Sequence, residues 1–258
     1  YVVFFTNKGK CFWRKVHELP EASLTARGRG LTNVLNLSNE ETVKAFVCVS
    51  NFDQDKFLIM TTKRGVVKKT KLEEYSRPRA NGIIAINLKS NDELISVNPS
   101  SGRDEILIST RMGKAIRFSE KKVRSVSRNS MGVKGMSLKK DDYVVSSEVI
   151  KNKNSQILTV SENGFGKRTQ IEKYRLTSRG GKGVVTLKIT DKTGEIVNAF
   201  QTDKDSDIIL VSSIGKTTRL KASDISIIGR ATQGVKLMKV NDKIKIVAVA
   251  KIADNTSE

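Results

Sequence analysis

Lys56-Phe-Leu-Ile-Met-Thr-Thr62, Glu105-Ile-Leu-Ile-Ser-Thr110, Gln156-Ile-Leu-Thr-Val-Ser161 and Asp207-Ile-Ile-Leu-Val-Ser-Ser213 repeat one pattern, and Tyr1-Val-Val-Phe-Phe-Thr6 opens the chain with a fifth version. Each run is rich in β-branched or aromatic residues and too short for a helix, so each predicts a buried strand. Each soon meets a glycine: Gly9, Gly65, Gly113, Gly164 and Gly215. The spacings between these glycines are 56, 48, 51 and 51 residues. A fixed period of this size marks a repeat array. The glycine lets the chain turn with positive φ, so each run and the residues after the glycine read as a hairpin.

Working outward, each copy continues alike. A basic strand follows the turn: Cys11-Phe-Trp-Arg-Lys15, Val66-Val-Lys-Lys69, Ala115-Ile-Arg117, Lys167-Arg168 and Thr218-Arg219. Ten residues past each turn glycine stands an apolar or aromatic plug, Leu19, Tyr75, Val123, Tyr174 or Ile225. A second glycine (Gly30, Gly82, Gly132, Gly183, Gly234) then opens a third strand. Those strands are expected over Thr32–Leu37, Ile83–Leu88, Val133–Leu138, Val184–Ile189 and Val235–Val240. An acidic turn such as Asn91-Asp-Glu93 or Asp141-Asp142 leads to a fourth strand, typified by Tyr143-Val-Val145 and Ile246-Val-Ala-Val-Ala250. The expected fold is all-β: one domain over residues 1–258, built as a propeller-like array of four-stranded blades in five copies, 1–55, 56–104, 105–154, 155–206 and 207–258. One copy cannot bury both faces, so neighbours must stack in a closed ring or a curved spiral. A two-sheet sandwich does not require five copies of one pattern.

Charge bounds the function. The 258 residues carry 47 Lys and Arg against 27 Asp and Glu, a net charge of +20. That excess attracts polyanions, nucleic acid first and anionic membrane second. A membrane-surface binder needs a basic amphipathic helix, and no helical periodicity is found. No apolar run approaches a membrane span, and the chain does not begin with Met, as a piece of a longer protein would not. Cys11 and Cys48 lie in apolar runs and are expected to be buried and reduced, and two Cys with the single His17 are too few for a metal site. Gly215-Lys-Thr217 ends like a phosphate-binding loop, but Leu210 stands where the first glycine belongs. Gly164-Phe-Gly166 begins a dinucleotide fingerprint that fails at Thr169. Asp141-Asp142 and Glu40-Glu41 read as solvated turns, so no catalysis and no cofactor are expected of this chain.

All five copies are positive, from +1 in the first to +7 in the third. The cations gather in the second strand and the loop after it. One arginine precedes the second glycine by three or four residues in every copy: Arg27, Arg79, Arg128, Arg179 and Arg230. Stacked copies would align these positions into a basic rim that a duplex can follow, with Arg and Lys on the phosphates. Besides those five, the candidate DNA-binding residues are Arg14, Lys15, Arg29, Lys68, Lys69, Arg77, Arg117, Arg124, Lys134, Lys167, Arg168, Arg175, Lys182 and Arg219. Aromatic residues are 5%, which argues against stacking platforms for single strands and for backbone contact with duplex. A curved rim implies bent DNA.

Leu19-Pro-Glu-Ala22, Ala26-Arg-Gly-Arg-Gly30, Gly65-Val-Val-Lys-Lys-Thr70, Asn163-Gly-Phe-Gly-Lys-Arg-Thr169 and Ile225-Ser-Ile-Ile-Gly-Arg-Ala-Thr-Gln-Gly-Val235 together resemble the C-terminal domain of bacterial DNA gyrase A, over nearly the whole chain. The resemblance implies a β-pinwheel whose blades exchange strands. It also implies wrapping of duplex DNA in support of negative supercoiling, with the rest of gyrase A and gyrase B as partners in the bacterial cytoplasm. Two departures stand out. The family has six blades against five copies here, so a further copy is expected upstream of Tyr1. The family's wrapping motif, Gln-Arg-Arg-Gly-Gly-Lys-Gly, is absent, although Ser178-Arg-Gly-Gly-Lys-Gly183 in the fourth copy resembles it. The related topoisomerase IV domain, which binds DNA without strong wrapping, is one alternative. A propeller binding acidic proteins is another, and it requires charge gathered on one face instead of in every copy.

Overall fold

Strands form where the apolar runs predict them, because there the chain is covered on both faces. In the third copy all six residues of Glu105–Thr110 are buried. In the second, Leu58 to Thr62 are buried within Phe57–Thr62. The computed structural model describes residues 1–252 apart from 24–25, 27–29, 53–54 and 242. The turn glycines adopt φ between 76° and 80°. Gly164 is fixed by space as well as by φ, since an added Cβ would lie 2.2 Å from the Met238 carbonyl oxygen.

Within each copy the first strand sits between the fourth and the second. In the second copy Phe57–Thr62 pairs antiparallel with Val66–Lys71 on one side and with Leu94–Ser100 on the other. The same plan holds in the third copy (Glu105–Thr110, Lys114–Ser119, Val144–Ile150), the fourth (Gln156–Ser161, Phe165–Gln170, Ile196–Thr202) and the fifth (Asp207–Ser212, Thr217–Lys221, Ile246–Lys251). The first copy uses Val2–Thr6, Lys10–Arg14 and Val43–Cys48.

The third strand differs from expectation. It is two residues long in four copies, Ile83–Ile84, Val133–Lys134, Val184–Val185 and Val235–Lys236. In the first copy a 3-10 turn, Leu31–Asn33, stands in its place. It also joins the preceding copy's sheet. Ile83 pairs with Cys11, Val133 with Val67, Val184 with Ala115 and Val235 with Gly166. In the first four copies the second-strand edge is thereby covered by the next copy, which satisfies backbone groups that would otherwise be exposed. After its two paired residues the segment leaves the edge and buries apolar side chains such as Ala85, Ile86 and Leu187 instead.

The strand exchange explains how the molecule divides. Contacts group the chain into two compact units, residues 1–103 with 123–134, and residues 104–122 with 135–258. The segment 123–134 belongs by sequence to the third copy but by contact to the second, whose second strand it covers. Each unit has its own core. In the first, Val3, Phe5, Leu58, Met60, Tyr75 and Ile86 pack together. The second has one cluster around Leu158, Ile208, Leu210 and Ile225 and another around Leu107, Ile157 and Tyr174.

The plugs end or directly follow 3-10 turns, and four of them are buried: Tyr75, Val123, Tyr174 and Ile225. Two carry a polar handle. Tyr75 donates its hydroxyl to the Ala85 carbonyl at 3.1 Å, and Tyr174 Oη lies 2.7 Å from Thr186 Oγ1. Each thus ties the loop's start to its exchange segment. Two smaller expectations are corrected. Cys11 is buried but Cys48 is exposed, because residues alternate along an outer strand. Glu41 is not a solvated turn residue: it is buried and accepts hydrogen bonds from Thr6 Oγ1 at 2.6 Å and Ser38 Oγ at 2.8 Å.

Candidate nucleic-acid interface

The loop between plug and second glycine is a strap laid twice along the preceding copy's second strand. It first runs parallel: Leu176 and Thr177 pair with Arg117 and Phe118, and parallel bridges join Ser125 to Lys69 and Ile227 to Arg168. It then turns and returns antiparallel as the exchange strand. The recurring arginine lies at that turn. The second glycine must then pass flat against the strand, since a Cβ on Gly132 would stand 2.4 Å from the Val67 carbonyl oxygen and one on Gly183 2.4 Å from that of Ala115.

The straps carry most of the candidate residues at the surface. Arg77, Arg79, Arg124, Lys134, Arg175, Arg179 and Lys182 are exposed, as is Lys15 just before the 3-10 turn Val16–Glu18. Arg128 and Arg230 are half-buried. Arg128 donates one N–H to the Ile84 carbonyl at 2.8 Å, and Arg230 one to that of Val185 at 2.9 Å. A guanidinium has five donors, so one bond aims the fork without exhausting it. Arg179 donates Nε–H to the Lys122 carbonyl at 2.9 Å. Arg14 is half-buried, with Nε–H on the Val34 carbonyl at 3.0 Å. Arg14, Lys15 and Arg79 converge with Tyr1, Trp13 and Pro78 on a cleft of about 330 Å³. Arg27 and Arg29 lie outside the described residues.

Five candidates are corrected. Lys68, Lys69, Arg117, Lys167 and Arg168, expected on a DNA-facing rim, are buried. A buried charge is costly unless it is bonded, and these are held by the protein's own groups. The Lys68 ammonium donates to the carbonyls of Ala85 at 2.8 Å and Arg128 at 2.5 Å. The Lys167 ammonium donates to the carbonyls of Gly229 at 2.6 Å, Arg230, and Thr232 at 3.2 Å, and to Thr232 Oγ1 at 3.0 Å. Burial, with Arg128 adding to it, lowers the Lys68 pKa to about 8 against the opposing pull of Glu74 and Cys11. Burial, reinforced by Arg230, does the same to Lys167. Lys69 lies 5.0 Å over the Phe57 ring.

Arg117 and Arg168 share a second role that sequence reasoning missed. Each stands four residues past its turn glycine and donates to the carbonyl of the next copy's plug: Arg117 to Tyr174 at 3.0 Å and Arg168 to Ile225 at 2.8 Å. In the first copy Trp13 holds the same position and its indole N–H reaches the Tyr75 carbonyl at 3.2 Å. In every copy the residue twelve positions earlier, at or just before the start of the first strand, contacts the residue at this position. Arg117 pairs with Glu105, Arg168 bonds Gln156 at 3.3 Å, Arg219 pairs with Asp207, Lys69 covers Phe57, and Trp13 packs edge-on against Tyr1 at 4.8 Å. The signal was present as two covarying columns twelve residues apart.

Among the described residues no three His, Cys, Asp or Glu side chains are grouped so as to hold a metal ion. No helix among them is long and apolar enough to cross a membrane.

Small, mainly antiparallel sheets, the first four completed by the following copy and crossed by its strap, define an all-β repeat protein of the propeller class. Comparison with known proteins agrees. The DNA gyrase C-terminal domain, a β-propeller, matches residues 1–50, 56–101, 104–151, 155–203 and 206–253. The chain is 41% identical over 253 residues to the DNA gyrase A protein of Salmonella typhimurium, covering 98% of this chain and 29% of that protein. Among solved structures, the C-terminal domain of DNA topoisomerase IV superposes with a TM-score of 0.90 at 27% identity, covering 97% of this chain and 78% of that one. The DNA gyrase A C-terminal domain gives 0.85 at 26% identity, covering 98% and 82%. The chain belongs to the DNA gyrase C-terminal domain family, and it spans under a third of the length of the curated relatives it matches.

Proposed function

We propose that this chain binds duplex DNA through its strap cations, follows the sugar–phosphate backbone without regard to base sequence, and bends or wraps the duplex. In the intact enzyme it would act as the accessory domain of gyrase A, working with the rest of that protein and with gyrase B in the bacterial cytoplasm to support negative supercoiling. The chemical steps would belong to those other parts, with no cofactor held here. One observation carries the proposal: Arg79, Arg128, Arg179 and Arg230 stand at the equivalent strap turn of four successive copies, with exposed Arg124 and Arg175 each eleven residues past the turn glycine of its own copy. Phosphates spaced along a duplex are the partner such a series suits, and each contact made releases counterions.

The test is binding to a long duplex over a salt series, with linking number read after ligation of a nicked circle. A steep fall of affinity with salt is expected, with a shift in linking number. Arg79→Ala, Arg128→Ala, Arg179→Ala and Arg230→Ala should each weaken binding equally across DNA sequences and lower the salt slope by about 1. A change of base preference would argue against backbone contact, and salt-independent binding would sink the proposal. The likeness to the topoisomerase IV domain supports a second reading, in which the chain binds DNA without wrapping it. Binding with no linking-number shift would favour that reading, or place the wrapping determinant in a further copy.

A further inference from the structure

We infer that Lys68 and Lys167 are positioning residues for DNA binding: each ammonium ties up the strap turn from below and so holds Arg128 or Arg230 in place to meet phosphate. The inference rests on the proposed DNA-binding role of the straps. Its basis is geometric. Both lysines stand three residues past their turn glycines, on second strands, with no surface exposed. Both extend beneath the strap of the following copy, where the chain reverses from parallel to antiparallel. There each ammonium donates to the main-chain carbonyl of the strap arginine itself, Arg128 or Arg230, and to a second carbonyl, of Ala85 or Gly229. The arginine is then fixed at both ends, its carbonyl by the lysine below and its guanidinium by the Ile84 or Val185 carbonyl.

The other two described straps are built differently. At the same position their underlying strands carry Phe12 and Ile116, and the loop rests on apolar atoms: a Cβ on Gly82 would meet the Phe12 ring at 2.8 Å and one on Gly181 the Ile116 side chain at 3.4 Å. The arginines above them, Arg79 and Arg179, are exposed, whereas Arg128 and Arg230 are half-buried. Lysine and half-buried arginine therefore occur together. A buried cation so close to a second cation costs energy that an apolar residue would avoid, and Phe12 and Ile116 demonstrate that the fold accepts an apolar residue there. What the lysine adds is directional bonding to the carbonyls that orient the turn. The charged groups facing Lys68 are Arg128 and Glu74, with the Cys11 thiol, which burial pushes up to about 12, beside them; the one facing Lys167 is Arg230. With pKa values near 8, both ammonium groups lose their proton in a range where exposed lysines keep theirs, and the grip on the turn weakens with it.

The experiment measures duplex affinity of the full chain for Lys68→Met, Lys167→Met, Arg128→Ala and Arg230→Ala, and for Lys68→Met combined with Arg128→Ala and Lys167→Met with Arg230→Ala. Folding is monitored by circular dichroism. Each lysine change is expected to weaken DNA binding roughly tenfold or less, no more than its arginine change does, and to add nothing once the arginine is gone. Loss of effect in the arginine background is a result that a merely structural role would not give. Arginine variants that bind like the wild type would overturn the DNA role of these straps and the inference together. Weakened arginine variants beside folded lysine variants of unchanged affinity would overturn the inference alone, as would a lysine effect that persists without the arginine. If the methionine variants do not fold, the wild type titrated from pH 7 to 9 decides. A fall in affinity that is absent from the Arg128→Ala, Arg230→Ala double variant supports the inference, and a flat profile overturns it.

Discussion

Arg117 and Arg219 occupy the same position in two copies of one repeat, and their fates differ. Both stand four residues past a turn glycine and both pair with the acidic residue that opens the first strand, Glu105 or Asp207. Arg117 is 10% exposed along its side chain and also holds the Ile171 and Tyr174 carbonyls; Arg219 is 66% exposed. The difference does not lie in either arginine or in its own sheet. It lies in the strap laid over Phe118 and Arg117 by the following copy, for which the strand Thr217–Lys221 has no counterpart among the described residues. Burial in this repeat is conferred by the next copy along. A cation that looks like a surface residue in its own copy becomes a fastener when a neighbour covers it.

The sharpest way to break the comparison is to remove both arginines in turn. Arg117→Ala takes the guanidinium from a buried carboxylate and from the Tyr174 carbonyl, while the Ile171 carbonyl keeps the Tyr174 N–H, and should cost about 3 kcal/mol, the low end for breaking a buried pair. The low end applies because Lys153 still approaches Glu105 at 3.2 Å. Arg219→Ala should leave the urea midpoint unchanged, since exposed pairs contribute little. Equal losses at the two positions would mean that the ion pair, not the covering strap, is what matters. Arg168→Ala should fall between them at about 2 kcal/mol. Its partners Gln156, Ser223 and Ile225 are neutral, so the variant orphans carbonyls without stranding a charge. Trp13→Phe keeps an aromatic ring beside Tyr1 but loses the N–H bond to the Tyr75 carbonyl and part of the packing on Phe52; the bond alone should cost about 1 kcal/mol. Thermal or urea unfolding of the four variants checks the order.

The comparison also accounts for what the sequence made legible. Turn glycines, first strands and plugs depend on neighbours close in the chain, and all were readable. Tyr75 and Tyr174 stand where the tenth residue after the glycine put them. The third strands were drawn too long because an apolar run such as Ile83–Leu88 does not reveal whose edge it meets or how soon it leaves. The cations of the second strand were misplaced for a related reason. Lys68 is buried by Arg128, 60 residues on, and Lys167 by Arg230, 63 residues on. A charge pattern read within one copy contains no trace of that carbonyl-lined turn. The columns that would have revealed the fasteners pair Trp13 with Tyr1 and Arg117 with Glu105. They change chemistry from copy to copy while keeping one geometry.

A pH series separates stability from function at the two buried lysines. Their folded-state pKa values are near 8, below the ordinary 10.5, chiefly through burial. Between those values the unfolded chain binds more protons than the folded one, so stability must rise with pH from about 8 to about 10.5. Relative to a Lys68→Met, Lys167→Met variant, in which this linkage is missing, the wild-type urea midpoint should climb across that range. Over the lower part of the same range, duplex affinity relative to the variant should fall, because each deprotonated amine has lost one donor and its charge. Two curves running in opposite directions with pH would mean that the ammonium groups weaken the fold while holding the straps. A midpoint that fell with rising pH would reverse the sign and show that the carbonyls stabilise the charged form beyond the cost of burying it.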